Sequence, residues 1–127
     1  MKEADKLKHF VLVVDDAQDA RVLLDRILTN LGATVIAVDS GDKAIEATQY
    51  QKFSGIVMDI HMPGLDGWQT MEKMRAAGVV CPGLALSGDA EAADISRSLQ
   101  AGFQEHWQKP AKKSQLSLWL AALGEPA

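Results

Sequence analysis

Residues 54–67 read Ser-Gly-Ile-Val-Met-Asp-Ile-His-Met-Pro-Gly-Leu-Asp-Gly, and the reading of this stretch decides the fold. The apolar run Gly55-Ile56-Val57-Met58 ends on one acid, Asp59, and a turn rich in Pro and Gly follows, Met62 to Gly67. A short apolar run bounded by turn signals predicts a strand buried on both faces. Strands of that kind belong to parallel sheets, whose ligands bind just beyond the carboxyl ends of the strands. Core packing has no use for an acid there, so Asp59 is the first candidate working residue.

Working outward, the same grammar repeats. Phe10 to Val14 is a continuous apolar run that stops at Asp15-Asp16. Ala20, Leu24, Ile27, Leu28 and Leu31 then fall at helical spacing, with Gly32 as the stop. Thr34 to Val38 predicts a second strand, and Ser40 caps a helix over about 41–51 with Ala44, Ile45 and Thr48 inward. After the Asp59 strand, Asp66 caps a helix with Trp68, Met71 and Met74 on one side, ending near Gly78. Gly83 to Leu86 is the fourth strand and delivers Ser87. Asp89 is expected to cap the next helix, with Ala92, Ile95 and Leu99 inward and Gly102 as its stop. A short strand over 104–108 reaches Lys109-Pro110, and the last helix carries the stripe Leu116, Trp119, Leu120 and Leu123.

Strand and helix thus alternate five times with short connections, which predicts right-handed crossovers and a parallel sheet covered on both faces. The expected class is α/β, a flavodoxin-like (βα)5 three-layer doubly wound domain with strand order 2-1-3-4-5. Composition agrees. The 127 residues suit one domain with a real core, and 47% apolar content argues against disorder. A net charge of −4 without a run of Lys or Arg excludes a nucleic-acid face. The basic cluster Lys109, Lys112 and Lys113 taken alone reads as the start of a solvated helix. The single cysteine, Cys81, permits no internal disulfide, suits a reducing compartment and reads as structural. The polar opening and the lack of any apolar run near the roughly 20 residues of a membrane span predict a soluble, cytoplasmic protein without membrane insertion.

In the 2-1-3-4-5 order the first and third strands are neighbours, so Asp15, Asp16 and Asp59 converge. Carboxylates at that range raise one another's pKa unless a cation neutralises them. A hard divalent cation with oxygen ligands answers this, and Mg2+ suits a site of one or two carboxylates, waters and a phosphate oxygen. One carboxylate can then attack a phosphoryl group to form an aspartyl phosphate. Lys109 can pair with a phosphate oxygen and the Ser87 hydroxyl can donate to another. Each residue also has a plainer reading. Asp15 or Asp16 alone serves as a helix cap, Ser87 alone as a turn residue, and Lys109 alone as a surface charge. Their joint placement at four strand ends favours the chemical reading.

This pattern resembles the receiver domain of two-component response regulators, the chemotaxis-type phosphorylation module. The matching pieces are VLVVDD at 11–16, MDIHMPGLDG at 58–67, ALSG at 85–88 and Lys109-Pro110, in order over most of the chain. The resemblance implies a phosphoacceptor at Asp59 that takes its phosphoryl group from phosphohistidine. It also implies Mg2+ (with Mn2+ as a substitute) held by Asp16 directly, Asp15 through water, Asp59, and the backbone carbonyl of His61, whose imidazole is a bystander. Ser87 becomes the switch hydroxyl, Lys109 the phosphate-pairing lysine, and the Lys109–Pro110 bond cis. The partner implied is a histidine kinase or histidine phosphotransfer domain, and a homodimer is expected on the face of the fourth helix, fifth strand and fifth helix, near Ile95, His106 and Leu118. Residues 1–8 are expected to be a charged tail or linker, 9–124 the receiver, and 125–127 a C-terminal tail.

Three positions depart from the family's pattern. His106 stands where the switch aromatic is expected, which predicts weaker or pH-sensitive coupling to Ser87. Phe103 follows Gly102 where a small residue is common, and Trp107 replaces an aliphatic residue. The reading that follows is a signalling switch with weak autophosphorylation and self-dephosphorylation rather than a metabolic enzyme, either stand-alone or cut from a hybrid sensor kinase. A pseudo-receiver, an interaction module that is never phosphorylated, is the alternative. An aspartyl-phosphate hydrolase ranks last, because His61 occupies the place where such enzymes put a second Asp.

Overall fold

The computed structural model describes residues 9–124. The tail and linker expected at 1–8 and the tail at 125–127 lie outside them. In chain order the elements are β1 (Phe10–Val14), α1 (Gln18–Asn30), β2 (Thr34–Val38), α2 (Gly41–Tyr50), β3 (Gly55–Asp59), α3 (Gly67–Ala76), β4 (Gly83–Ser87), α4 (Ala92–Ala101), β5 (Glu105–Gln108) and α5 (Lys113–Ala121). The strands form one parallel sheet in the order β2-β1-β3-β4-β5, the expected flavodoxin-like topology.

Period-two side-chain alternation divides the central strands between two cores. Leu12, Val14, Ile56, Met58 and Ala85 face one side, with Ala44 of α2, Met71 and Met74 of α3 and Ala101 of α4. Val11, Val13, Val57, Leu84 and Leu86 face the other, with Leu24 and Leu28 of α1 and Leu116, Trp119 and Leu120 of α5. Burial on both faces is why β1, β3 and β4 read as unbroken apolar runs; the edge strand β5 reads Glu-His-Trp-Gln, and β2, apolar after Thr34, is only partly buried.

Local chemistry sets the helix ends. Ser40 Oγ accepts from the Lys43 N–H at 3.2 Å, starting α2. Asp66 and Gln69 form a reciprocal capping box at α3, with Oδ1 of Asp66 accepting from Gln69 N at 2.8 Å and Oε1 of Gln69 accepting from Asp66 N at 3.0 Å. Beside it, Gly67 donates to the Ile60 carbonyl at 2.8 Å, and a Cβ on Gly67 would lie 2.6 Å from the Asp59 carbonyl oxygen. The start of α3 is thus pressed against the turn that carries Asp59.

The fourth helix departs from the sequence expectation. Its N-cap is Glu91, with no side-chain cap bond, and not Asp89. Ala92 and Leu99 are exposed rather than inward, and Ser98 and Ala101 are the buried positions. The cause is polar: the Ser98 hydroxyl has hydrogen-bond partners on α3 and β5, which fixes the roll of the helix and turns Leu99 outward. Leu118 is exposed, and Cys81 is buried with its thiol pushed up by burial, against the pull of nearby Arg75.

Candidate functional site

Backbone hydrogen bonds that continue the ladder set Asp15, the residue after Asp59, and Lys109 at the carboxyl edge of the sheet. Asp15 N donates to the Val38 carbonyl at 3.2 Å, Ile60 N to that of Leu86 at 3.0 Å, and Lys109 N to that of Ser87 at 2.7 Å. Asp15, Asp16 and Asp59 each bring a carboxylate oxygen within 4.8 Å of the others, with Asp15 and Asp59 buried and Asp16 exposed. Lys109 Nζ lies 3.1 Å from Asp15 Oδ2 and 3.3 Å from Asp59 Oδ1. In the sequence Lys109 belongs to a basic cluster; in the fold it leaves Lys112 and Lys113 at the start of α5 and enters the acidic cleft. The Lys109–Pro110 bond is cis, as the resemblance implied.

The electrostatics follow from these distances. Burial pushes the Asp59 carboxyl above its usual range, and the Asp15 charge adds to this, while Lys109 pulls the other way. Burial alone would lower Lys109, but Asp59 and Asp15 together outweigh it and raise the ammonium above its usual value. Three carboxylates against one ammonium leave excess negative charge. All the donors are hard oxygens at the spacing a small divalent cation bridges, so the residues fit Mg2+. Within the cluster, Asp15 engages both of its oxygens with protein groups, Oδ1 with Ala17 N at 2.9 Å and Oδ2 with Lys109. The exposed Asp16 faces solvent.

Ser87 and His106 lie one and two strands further along. Ser87 Oγ donates to the Asp89 carbonyl and lies 2.7 Å from His106 Nε2. Burial lowers the His106 pKa, partly offset by Asp94, with a small further decrease from His61. The ring lies in direct hydrogen-bond contact with Ser87, at the position where the resemblance expects the switch aromatic. His61 is exposed, its imidazole packed T-shaped against Trp68 with ring centroids 5.9 Å apart.

Three side chains outside the carboxylate cluster make contacts with its surroundings that the sequence did not announce. Arg21 Nη1 donates to the Asp15 carbonyl at 3.0 Å. Ser98 Oγ lies 2.8 Å from His106 Nδ1, and Trp68 Nε1 donates to the same oxygen at 2.8 Å. The available signal was that Ser98 falls three residues after Ile95 and three before Ala101, on the inward stripe.

The family model for the response regulator receiver domain matches residues 11–121. The sensor histidine kinase GacS of Pseudomonas protegens is 37% identical over 112 residues, covering 84% of this chain and 12% of that protein. The transcriptional regulatory protein TcrA of Mycobacterium tuberculosis is 32% identical over 113 residues, covering 89% of this chain and 45% of that one. The chain therefore spans less than half the length of these curated relatives. Among solved structures, the receiver domain of the Pseudomonas aeruginosa sensor histidine kinase PA1611, with a magnesium ion coordinated in its active-site cleft, superposes with a TM-score of 0.82 at 30% identity, covering 89% of this chain and 94% of that one. The chemotaxis protein CheY4 of Vibrio cholerae shares the fold, with a TM-score of 0.85 at 23% identity over 90% of this chain and 97% of that one. A match across the whole sheet, on a chain whose strand ends gather three acids and a lysine, places this protein in the response regulator receiver domain family of two-component signalling.

Proposed function

We propose that Asp59 is the phosphoacceptor of this receiver. The observation that carries the assignment is the Asp59 carboxylate itself, buried, grouped with Asp15 and Asp16, and held 3.3 Å from Lys109 Nζ. In the forward step an Asp59 oxygen attacks the phosphorus of a phosphohistidine. The new O–P bond forms as the P–N bond breaks, and the electron pair leaves with the imidazole. Lys109 pairs with a phosphoryl oxygen, and Ser87 turns its O–H from the Asp89 carbonyl toward another. Attack by water on the acyl phosphate releases phosphate and restores the carboxylate, so the domain resets itself without acting as a metabolic enzyme.

The cation's contribution is to neutralise charge on the phosphoryl oxygens. Asp16, Asp59 and the His61 carbonyl would hold Mg2+, or Mn2+ in its place. Asp15, with both oxygens already engaged, acts through water. The donor is a histidine kinase or phosphotransfer domain, and self-association is assigned to the α4-β5-α5 face, where Leu99 and Leu118 are exposed.

Intact-protein mass after incubation with acetyl phosphate tests the assignment. Wild type is expected to gain one phosphoryl group only when Mg2+ is present, and Asp59→Asn is expected to gain none. A folded wild type that binds Mg2+ but takes no phosphoryl group would instead establish the pseudo-receiver.

A further inference from the structure

The polar contacts around His106 form one continuous chain, and its direction can be read from proton counting. A neutral imidazole has one donor and one acceptor nitrogen. Ser98 Oγ is fully buried and already accepts from Trp68 Nε1 at 2.8 Å. Its own proton has the partner His106 Nδ1 at 2.8 Å, on a ring that the Asp94 and Asp89 carbonyls also approach. Nδ1 is therefore the bare nitrogen and Nε2 carries the proton. At the other end the Ser87 proton goes to the Asp89 carbonyl, leaving a lone pair on Ser87 Oγ to receive Nε2–H at 2.7 Å. Every bond points the same way, from Trp68 through Ser98, His106 and Ser87 to Asp89. The opposite tautomer would take from the Ser98 proton its Nδ1 acceptor and would require the Ser87 proton to turn from the Asp89 carbonyl to Nε2. Burial makes a stranded proton costly, since no water replaces the missing partner of a buried polar group.

We propose that Ser98 is a positioning residue of the switch, fixing His106 with Nε2–H aimed at Ser87 and making the Trp68 indole the far end of Ser87's movement. The coupling rests on the assignment of Asp59 as phosphoacceptor; the tautomer does not. When Ser87 redirects its hydroxyl toward a phosphoryl group, its oxygen withdraws from Nε2–H, and His106 must follow or lose its partner. The Ser98 hydroxyl then loses its acceptor and turns, and the bond from Trp68 weakens with it. Trp68 is half-buried between Arg97, whose guanidinium carbon lies 4.7 Å from the ring centroid, and the edge of His61, two residues beyond Asp59. The signal therefore surfaces between α3 and α4.

Nitrogen NMR tests this. On unphosphorylated protein at neutral pH, His106 is expected to be neutral with the proton on Nε2; a proton on Nδ1 would overturn the proposal. The Trp68 indole resonance, assigned by its loss in Trp68→Phe, is expected to move when Asp59 is loaded with beryllofluoride and Mg2+. Ser98→Ala is expected to take the same mass adduct from acetyl phosphate while the Trp68 response falls several-fold, and Ser98→Thr to restore it. An undiminished response in Ser98→Ala would refute Ser98's role. Failure of the receiver assignment would appear separately, as missing mass on wild type.

Discussion

At Asp59, the proposed phosphoacceptor, buried charge works against stability. Burial and the neighbouring Asp15 raise its pKa in the fold above the ordinary 3.8, so the folded state binds this proton more tightly than the unfolded chain. That contribution favours the fold below the ordinary value and is lost as pH rises through the folded pKa. At neutral pH the carboxylate is charged in a buried site beside a like charge. Asp59→Asn is therefore expected to raise Tm in chelator, by ~4 °C for each kcal/mol regained, and to lower the stabilisation that added Mg2+ gives wild type. Circular-dichroism melts of both proteins with EDTA and with Mg2+ check this; a lower Tm for Asp59→Asn in EDTA would show that pairing with Lys109 outweighs the burial of charge. Asp59 was legible in the sequence because an acid ending an apolar strand has no packing role. Ser98 was not, since a serine between helical apolar positions looks like surface until its partners on α3 and β5 are known.

Among the elements, the strands were legible almost to the residue, because runs such as Phe10 to Val14 and Gly55 to Asp59 are apolar on both faces and stop at charges. The last helix was equally plain from its stripe of Leu116, Trp119, Leu120 and Leu123. The fourth helix misled because periodicity weights Leu99 above Ser98, whereas the fold seats Ser98 and exposes the leucine. At the junction of β3 and α3 the constraint is steric. A methyl group at Gly67 would meet backbone, the Asp59 carbonyl at 2.6 Å and Ile60 Cα at 2.8 Å, neither of which can swing aside as a side chain does. Gly67→Ala is expected to cost about 1–3 kcal/mol, visible as a lower urea midpoint with unchanged slope. It should also slow loading of Asp59 by acetyl phosphate, since the shifted turn carries Asp59, the proposed acceptor. An unchanged midpoint would mean that α3 can slide without loss.

For the molecule as a whole, the cleft opens beside an apolar groove of about 90 Å³ lined by Ala20, Leu23 and Leu24 of α1 with Pro110 and Ala111, and bordered by Asp15 and Lys109. Leu23 is 53% exposed, so its replacement leaves the core intact. Leu23→Asp is expected to slow transfer from a phosphohistidine partner about tenfold, equivalent to about 1.4 kcal/mol, and to leave loading by acetyl phosphate unchanged. Stopped-flow transfer from a histidine phosphotransfer domain beside the small-donor assay separates the two; equal slowing in both would place the effect in the cleft and not in the groove. The convergence of Asp15, Asp16, Asp59 and Lys109 was legible from topology alone, while the groove was not, because it depends on how α1 lies against Pro110. The ion pair between Lys109 and Asp15 spans 94 residues, and this separation bears on the order of synthesis. A chain made from its amino end completes β1, β3 and all three acids before the lysine exists. The emerging half-sheet thus carries an unbalanced cluster of negative charge at its rim, which a dissolved divalent cation can quiet at once and which the protein itself answers only when β5 arrives.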